Sequence, residues 1–350
     1  MQTSFFDLDN RFSQLSNTGD PLDRLKKVID FELFRSTLEL VDVKARKSNA
    51  GRKPNDRVLM FKMLILQHMY KLSDDALEYQ VVDRLSFMRF LGLSLSGQVP
   101  DAKTVWLFRD ELTNADLIKP LFARFEQALT AQGVQLNSGQ IVDATFVEVP
   151  RQRNKREENE QIKAGNKPTD WKAKKSAQKD TDARWTKKNN ERYYGYKDHI
   201  NIDAATKLIT EYAVTDASVH DSQLLIEVLR PAAKGGAIVH ADSAYRSEKT
   251  EEALLEAGYS SEIHERAYRN MPLTKDQEAA NTVKSTIRAR VEHVFGSVHM
   301  SMGGTRVRSV GINRAKTNIG LMNLAYNIKR VETLIRNNFF EFDRINLSFG

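Results

Sequence analysis

Gln140-Ile-Val-Asp-Ala-Thr-Phe-Val-Glu-Val149 is β-branched and almost wholly apolar at both alternating sets of positions. That pattern predicts a strand buried on both faces, the kind found inside a layered α/β sheet. Asp143 stands in its middle, flanked by Ile141, Val142 and Phe146. An ionised carboxylate in such surroundings is costly unless backbone N–H groups or a cation compensate it. Asp143 is therefore either a hydrogen-bonded structural residue or a ligand. Taken alone, it does not decide between the two.

Working outward, residues 193–203 and 208–216 read as two strands joined by a short turn, and 236–242 as another buried strand. Residues 247–257 read as a helix and 259–264 as a short strand. Residues 275–298 and 312–336 read as two further helices, and Asp221 is placed to cap a helix running to 229. Strands and helices mixed in this order predict an α/β sheet covered by helices. Between the first strand and the rest lies 151–192, with fourteen Lys or Arg against seven Asp or Glu. So polar a segment cannot build a core of its own. Upstream of Gly139 only helical spacing is found, over 21–40, 56–70, 76–90, 102–112 and 116–132, with Asp56, Ser73 and Asp101 as caps. A loop is expected over 49–54. The reading gives an all-α domain over 1–135 and an α/β domain over 136–340, the latter carrying a basic insertion at about 150–192.

The 350 residues include 53 Lys or Arg and 46 Asp or Glu, a net charge of +7. This excess favours a polyanionic partner without requiring one. The chain has no cysteine, which excludes disulfides, thiolate zinc sites and a cysteine nucleophile. The most apolar run, 60–70, is interrupted by Lys62, Gln67 and His68, so no membrane span is expected. Nor does Met1 open a basic region followed by an apolar run. The expected location is the cytoplasm.

Two more carboxylates join Asp143. Asp242 ends the strand Ala237-Ile-Val-His-Ala-Asp242, and ligand sites in open α/β sheets collect at such strand ends. A turn-capping role fits it equally well. Glu292 lies in a helix whose spacing sets Ser285, Arg288, Glu292 and His299 on one face. Arg288 and Glu292, four apart, also fit a plain surface ion pair. Together the three suit a hard cation, Mg²⁺ or Mn²⁺. Two such ions at about 4 Å can clamp an in-line phosphoryl displacement.

In these residues the chain resembles the bacterial insertion-sequence transposases of the DDE class, of the insertion sequence 5 type. Similar to that family are Ile141-Val-Asp-Ala-Thr145, Tyr194-Gly-Tyr-Lys-Asp-His199, His240-Ala-Asp-Ser-Ala-Tyr-Arg246, Arg288-Ala-Arg-Val-Glu-His-Val-Phe-Gly296 and Asn323-Leu-Ala-Tyr-Asn-Ile-Lys-Arg330. The resemblance implies a ribonuclease-H-like catalytic domain with a mixed sheet and helices on both faces. It implies a metal-binding triad of Asp143, Asp242 and Glu292, two Mg²⁺ ions per site for which Mn²⁺ can substitute, and Arg288 as a further catalytic residue. It also implies terminal inverted repeats and target DNA as partners, a homodimer or larger assembly on double-stranded DNA, and a place in the bacterial nucleoid. The family's glutamate motif places a Tyr where this chain has Ser285 and a Lys or Arg where it has His299.

Candidate contacts to DNA are Arg151 and Arg153 in the insertion, Lys197 and His199, Arg246, Arg288 and His299. Trp171 and Trp185 of the insertion either stack on a base or anchor the segment on its domain, and anchoring is the favoured reading. In the helical part, 74–91 and 101–112 are candidates for a helix-turn-helix whose second helix presents Lys103 and Arg109. Two rival readings are a ribonuclease-H-like nuclease without strand transfer and an inactive relative acting as a DNA-binding repressor.

Overall fold

The computed structural model describes residues 6–41, 53–188, 190–231, 236–268, 270–340, 342, 344 and 345. Most of the loop expected over 49–54 lies outside them. The chain divides into two compact units, residues 1–134 with 320–350, and residues 135–319.

The first unit opens with α1 (Asp7–Asn17), α2 (Pro21–Val28) and α3 (Arg35–Leu38). It continues with α4 (Arg57–Tyr70), α5 (Asp74–Asp83), α6 (Leu85–Leu91), α7 (Ala102–Asn114) and α8 (Ile118–Ala131). Asp56, Ser73 and Asp101 cap α4, α5 and α7 by accepting from backbone N–H groups one turn on. Phe34, Phe61, Phe90 and Phe125 are buried at its centre. Each contributes about 1.5–3 kcal/mol as a fully buried large apolar side chain.

Two expected helices are broken. Over 21–40 the chain turns extended at Ile29, which bridges to Ile345, and Asp30 caps a new turn by accepting from the Glu32 N–H. Over 76–90 the break is at Arg84. Leu77 and Val81 are buried before it, and Phe87, Phe90 and Leu91 after it. One continuous helix cannot point both sets at the same core.

The second unit holds β1 (Gln140–Glu148), α9 (Arg156–Lys163), α10 (Ala173–Ala177), β2 (Arg184–Lys188), β3 (Glu191–Asp203) and β4 (Ile209–Asp216). After these come α11 (Leu225–Val228), β5 (Ala237–His240), α12 (Glu248–Glu256), β6 (Tyr259–Ser261) and α13 (Lys275–Ser301). The last helix, α14 (Ile312–Arg336), begins in this unit and ends in the first, where Glu332 pairs with Arg24 at 3.0 Å.

The strands form one mixed sheet. β1 pairs antiparallel with β3 and parallel with β5, β5 runs parallel to β6, and β3 also pairs antiparallel with β2 and β4. α13 packs on β1 and β5, α11 on β3 and β4, and α12 on β6. Val142, Leu225, Val228, Val239, Ala241 and Leu254 form the core beneath. His220, not Asp221, caps the turn leading to α11, because Asp221 is paired with Lys197 at 2.8 Å.

The basic insertion is built onto this unit. Ile162, Trp171 and Ala183 are buried, and so is Asp180, which accepts from the Tyr196 hydroxyl at 2.8 Å and from the Gly311 N–H at 3.2 Å. The segment lacks enough apolar residues for its own core and borrows that of β3.

Candidate active site

The site follows from the register of the sheet. β1 and β5 run parallel with Ile141 beside His240. Two residues further along each path, Asp143 and Asp242 come to the same level. There Asp242 leaves the strand and accepts from the Ala244 N–H at 2.7 Å. α13 starts at a capping box of Thr274 and Gln277 and buries Val291, Val294 and Val298, so the opposite flank carries Arg288, Glu292 and His299. These five residues, with Phe146, Lys188 and Tyr193, line one cleft of about 530 Å³.

Asp143 is buried at its floor, 8% exposed. Its Oδ1 accepts from the Ala144 N–H at 2.8 Å and its Oδ2 from Arg288 Nη1 at 2.9 Å. Burial is the strongest influence and pushes its pKa from an ordinary 3.8 up to about 6; Ala144 and Arg288 pull it down, while Asp242 and Glu292 push it up again. The same Arg288 Nη1 reaches Glu292 Oε1 at 3.5 Å. The guanidinium thus stands between Asp143 and Glu292 and offsets the charge of both. Among the described residues no three His, Asp or Glu side chains lie close enough together to hold a metal ion as they stand. The carboxylate oxygens are hard donors, of the kind a divalent cation takes.

Residues 135–328 match the family model described as the transposase DDE domain, and residues 10–111 match a second, described as a transposase domain (DUF772). The chain belongs to the DDE transposases. A structure of the piggyBac transposase synaptic complex with hairpin DNA, determined by cryo-EM, aligns with 93% of this chain and 77% of its own, at 13% identity and a TM-score of 0.46.

In this transposase the other expected contact residues are scattered. Lys197 is buried, its Nζ donating to the Val219 carbonyl at 2.6 Å and pairing with Asp221. His199 is fully buried beside Thr215 Oγ1 at 2.9 Å, and burial drives its pKa down to about 4, so it is neutral at pH 7. Neither presents its charge or ring to solvent, because Lys197 is engaged by Val219 and Asp221 and His199 by Thr215. Arg246 is bound to Glu265 at 2.8 Å and to the Ile263 carbonyl at 2.9 Å. Arg109 is held by Asp74 through two bonds of 2.8 Å and by Gln67 at 2.7 Å, which makes it a strut of the first unit. Lys103, Arg151 and Arg153 are exposed. Ser285 lies off the cleft and bonds with His264 Nε2 at 2.9 Å.

Trp171 is buried with its Nε1 donating to Glu158 at 2.7 Å. Trp185 is half-exposed against Tyr194, with Arg151 over its ring at 5.5 Å. The aromatic residues that do reach the cleft, Phe146 and Tyr193, stand in strand-like sequence that does not single them out. Only the glycine at 195, within a run of tyrosines, hinted that this part of the sheet is unusual.

No described helix is long and apolar enough to cross a membrane.

Proposed function

We propose that this transposase binds the terminal inverted repeats of an insertion sequence of the insertion sequence 5 type, cleaves phosphodiester bonds at its ends and joins the 3′ ends to target DNA. The observation that carries this reading is that Asp143, Asp242 and Glu292, from three distant parts of the sequence, line one cleft with Arg288. Burial of Asp143 on a mixed sheet with β1 at its centre supports a ribonuclease-H-like fold for the second unit; the helical first unit, with Lys103 exposed on α7, would bind DNA.

The all-oxygen donor set fits Mg²⁺ or Mn²⁺, and Asp143, Asp242 and Glu292 would hold two ions between them. Such ions supply Lewis-acid activation of a water, then of a 3′-hydroxyl, and neutralise charge on the phosphate. Asp143, fixed on the sheet, and Asp242, fixed in the turn that leaves it, set the position of the reacting phosphodiester. Arg288 leaves Asp143 and turns to the non-bridging phosphate oxygens, where charge develops. Glu292, on the open flank of α13, would complete the donor set with the two aspartates. His299 at the rim is placed to contact the neighbouring phosphate. Lys103, Arg151 and Arg153 supply further phosphate contacts. Two ends must be joined in one event, so the working form is a dimer or larger assembly on double-stranded DNA, in the bacterial nucleoid.

The test is nicking of a supercoiled plasmid carrying candidate terminal repeats, in Mg²⁺ and in EDTA, by the wild type and by Asp143→Ala. Metal-dependent nicking that vanishes in the variant is expected, with joined 3′ ends in the products. Nicking without joining would indicate a nuclease, and equal behaviour of the two proteins a repressor.

A further inference from the structure

A second cavity of about 390 Å³ adjoins the carboxylate cleft and shares Thr145, Phe146, Tyr193 and His299 with it. Glu148, Thr305 and Arg306 complete its wall. The volume falls in the roughly 300–1,000 Å³ range of small-ligand pockets.

Its most ordered feature is aromatic. Phe146 and Tyr193 stack with centroids 4.1 Å apart and planes 9° from parallel. The pair is fixed from several sides. The Tyr193 hydroxyl donates to Glu191 Oε2 at 2.7 Å, and the Phe146 carbonyl accepts from Thr305 Oγ1 at 2.8 Å. The register sets Gly195 opposite Glu148, between Tyr193 and Lys197 on the same face of β3. With no side chain at 195, the two rings meet across the gap. A Cβ there would stand 2.2 Å from the Val147 carbonyl oxygen, so the position requires glycine.

Around this plate stand the cations Lys188 and Arg306, the imidazole of His299, and one exposed carboxylate, Glu148. A flat, preformed aromatic wall with basic residues at its rim suits a nucleotide, whose base stacks while its phosphate meets the cations. A carboxylate at the edge suits a base with an exocyclic amino group, since it can only accept.

We infer that this cavity takes the base of the strand-end nucleotide next to the phosphodiester in the cleft, stacked on Tyr193 with an amino group donating to Glu148. The ligand class rests on the proposed DNA chemistry of the neighbouring cleft. The tryptophans of the insertion are engaged elsewhere, and the stacked Phe146 and Tyr193 are the aromatic rings that line both cavities.

The test uses the full chain in EDTA and a single-stranded oligonucleotide labelled at its 5′ end, with 2-aminopurine as its 3′-terminal base. Anisotropy reports binding, and 2-aminopurine quenching reports stacking. The wild type should quench the base. Tyr193→Leu, which keeps an apolar contact with Phe146, should abolish quenching and weaken binding about 5- to 150-fold. Tyr193→Phe should retain both. With ordinary 3′-terminal bases, Glu148→Gln should narrow the preference for cytosine or adenine over thymine. Unchanged quenching in Tyr193→Leu overturns the subsite, as does quenching of free 2-aminopurine deoxyriboside monophosphate at the same protein concentration. A wild type that nicks plasmid yet leaves the base unquenched loses the subsite and keeps the proposed function. A wild type that quenches but never nicks keeps the subsite and loses that function.

Discussion

Arg288 on α13 and Asp143 on β1, 145 positions apart in the sequence, meet at 2.9 Å. The contact joins the helix to the central strand and puts the cleft's nearest positive charge on its most buried negative one. Asp143 is 11% exposed at the side chain and Arg288 25%, so solvent screens the pair only in part. The pairing is incomplete compensation, since burial still outweighs it at Asp143.

Removing the guanidinium should therefore cost both stability and activity. Arg288→Ala leaves Asp143 with the Ala144 N–H alone, and breaking a pair of this burial costs about 1–3 kcal/mol, less than the roughly 3–5 of a fully buried pair. Thermal unfolding at pH 7.5 should show the loss. Nicking should fall by about 10²-fold if the same group meets the phosphate charge. An Arg288→Ala protein of wild-type stability would show that the arginine does not compensate the carboxylate.

The raised pKa of Asp143 makes stability depend on pH with a defined sign. Its folded value, about 6, lies above the ordinary 3.8. The folded state thus holds the proton more tightly, and this contribution is fully present below pH 3.8 and lost as pH rises through 6. At pH 8 the metal-free protein carries the whole cost, at most about 3 kcal/mol at 1.36 kcal/mol per pH unit. Asp143→Asn should then unfold at a higher temperature than the wild type at pH 8 in EDTA, with the advantage shrinking towards pH 4. An advantage that does not change with pH would place its cause elsewhere.

Lys103 and Arg109 both lie on α7 and read alike in the sequence, yet their surroundings differ. Arg109→Ala removes three hydrogen bonds and leaves Asp74 with Gln67 in place of a cation, for a loss of about 2–4 kcal/mol in thermal or denaturant unfolding. Lys103→Ala, at an exposed position, should stay within about 0.5 kcal/mol of the wild type. If the first unit binds DNA through this helix, Lys103→Ala should also reduce the salt slope of binding by about one counterion. A stable Arg109→Ala protein with weakened DNA binding would reverse the two assignments.

What the sequence revealed and what it hid have the same physical origin. The strand around Asp143 was legible because burial on both faces leaves a continuous apolar run, in which one carboxylate stands out. The helix carrying Arg288 and Glu292 was legible from their spacing of four. Lys197 and His199 misled for a related reason. They belong to a polar run that reads as surface, while β3 lies between β1 and β4 and turns those groups inward to Asp221 and Thr215. Polar residues in a central strand look exposed until their partners, about twenty residues on in the chain, are placed. The break at Arg84 was hidden too. No proline or glycine marks it, and it follows from where the core lies.

Asp180 shows how a segment of such charge is held. Its Oδ1 accepts from the N–H groups of Asp182 and Ala183, both at 3.0 Å, and from the Tyr196 hydroxyl at 2.8 Å, while Oδ2 accepts from the Gly311 N–H at 3.2 Å. Every partner donates, so the site needs an acceptor on both sides. Asp180→Asn keeps the shape but turns one acceptor into a donor facing another donor, at about 1–3 kcal/mol for each group left unsatisfied. Thermal unfolding should record the loss, and limited proteolysis should cut 151–192 faster than in the wild type. Arg156→Ala, which removes an exposed pair with Glu160, is the control and should change neither. Cleavage of the segment at the wild-type rate in Asp180→Asn would mean that the buried side chains of Ile162 and Trp171 suffice to hold it. Faster cleavage would mean that the cations of the insertion keep their positions because one buried carboxylate ties them to β3.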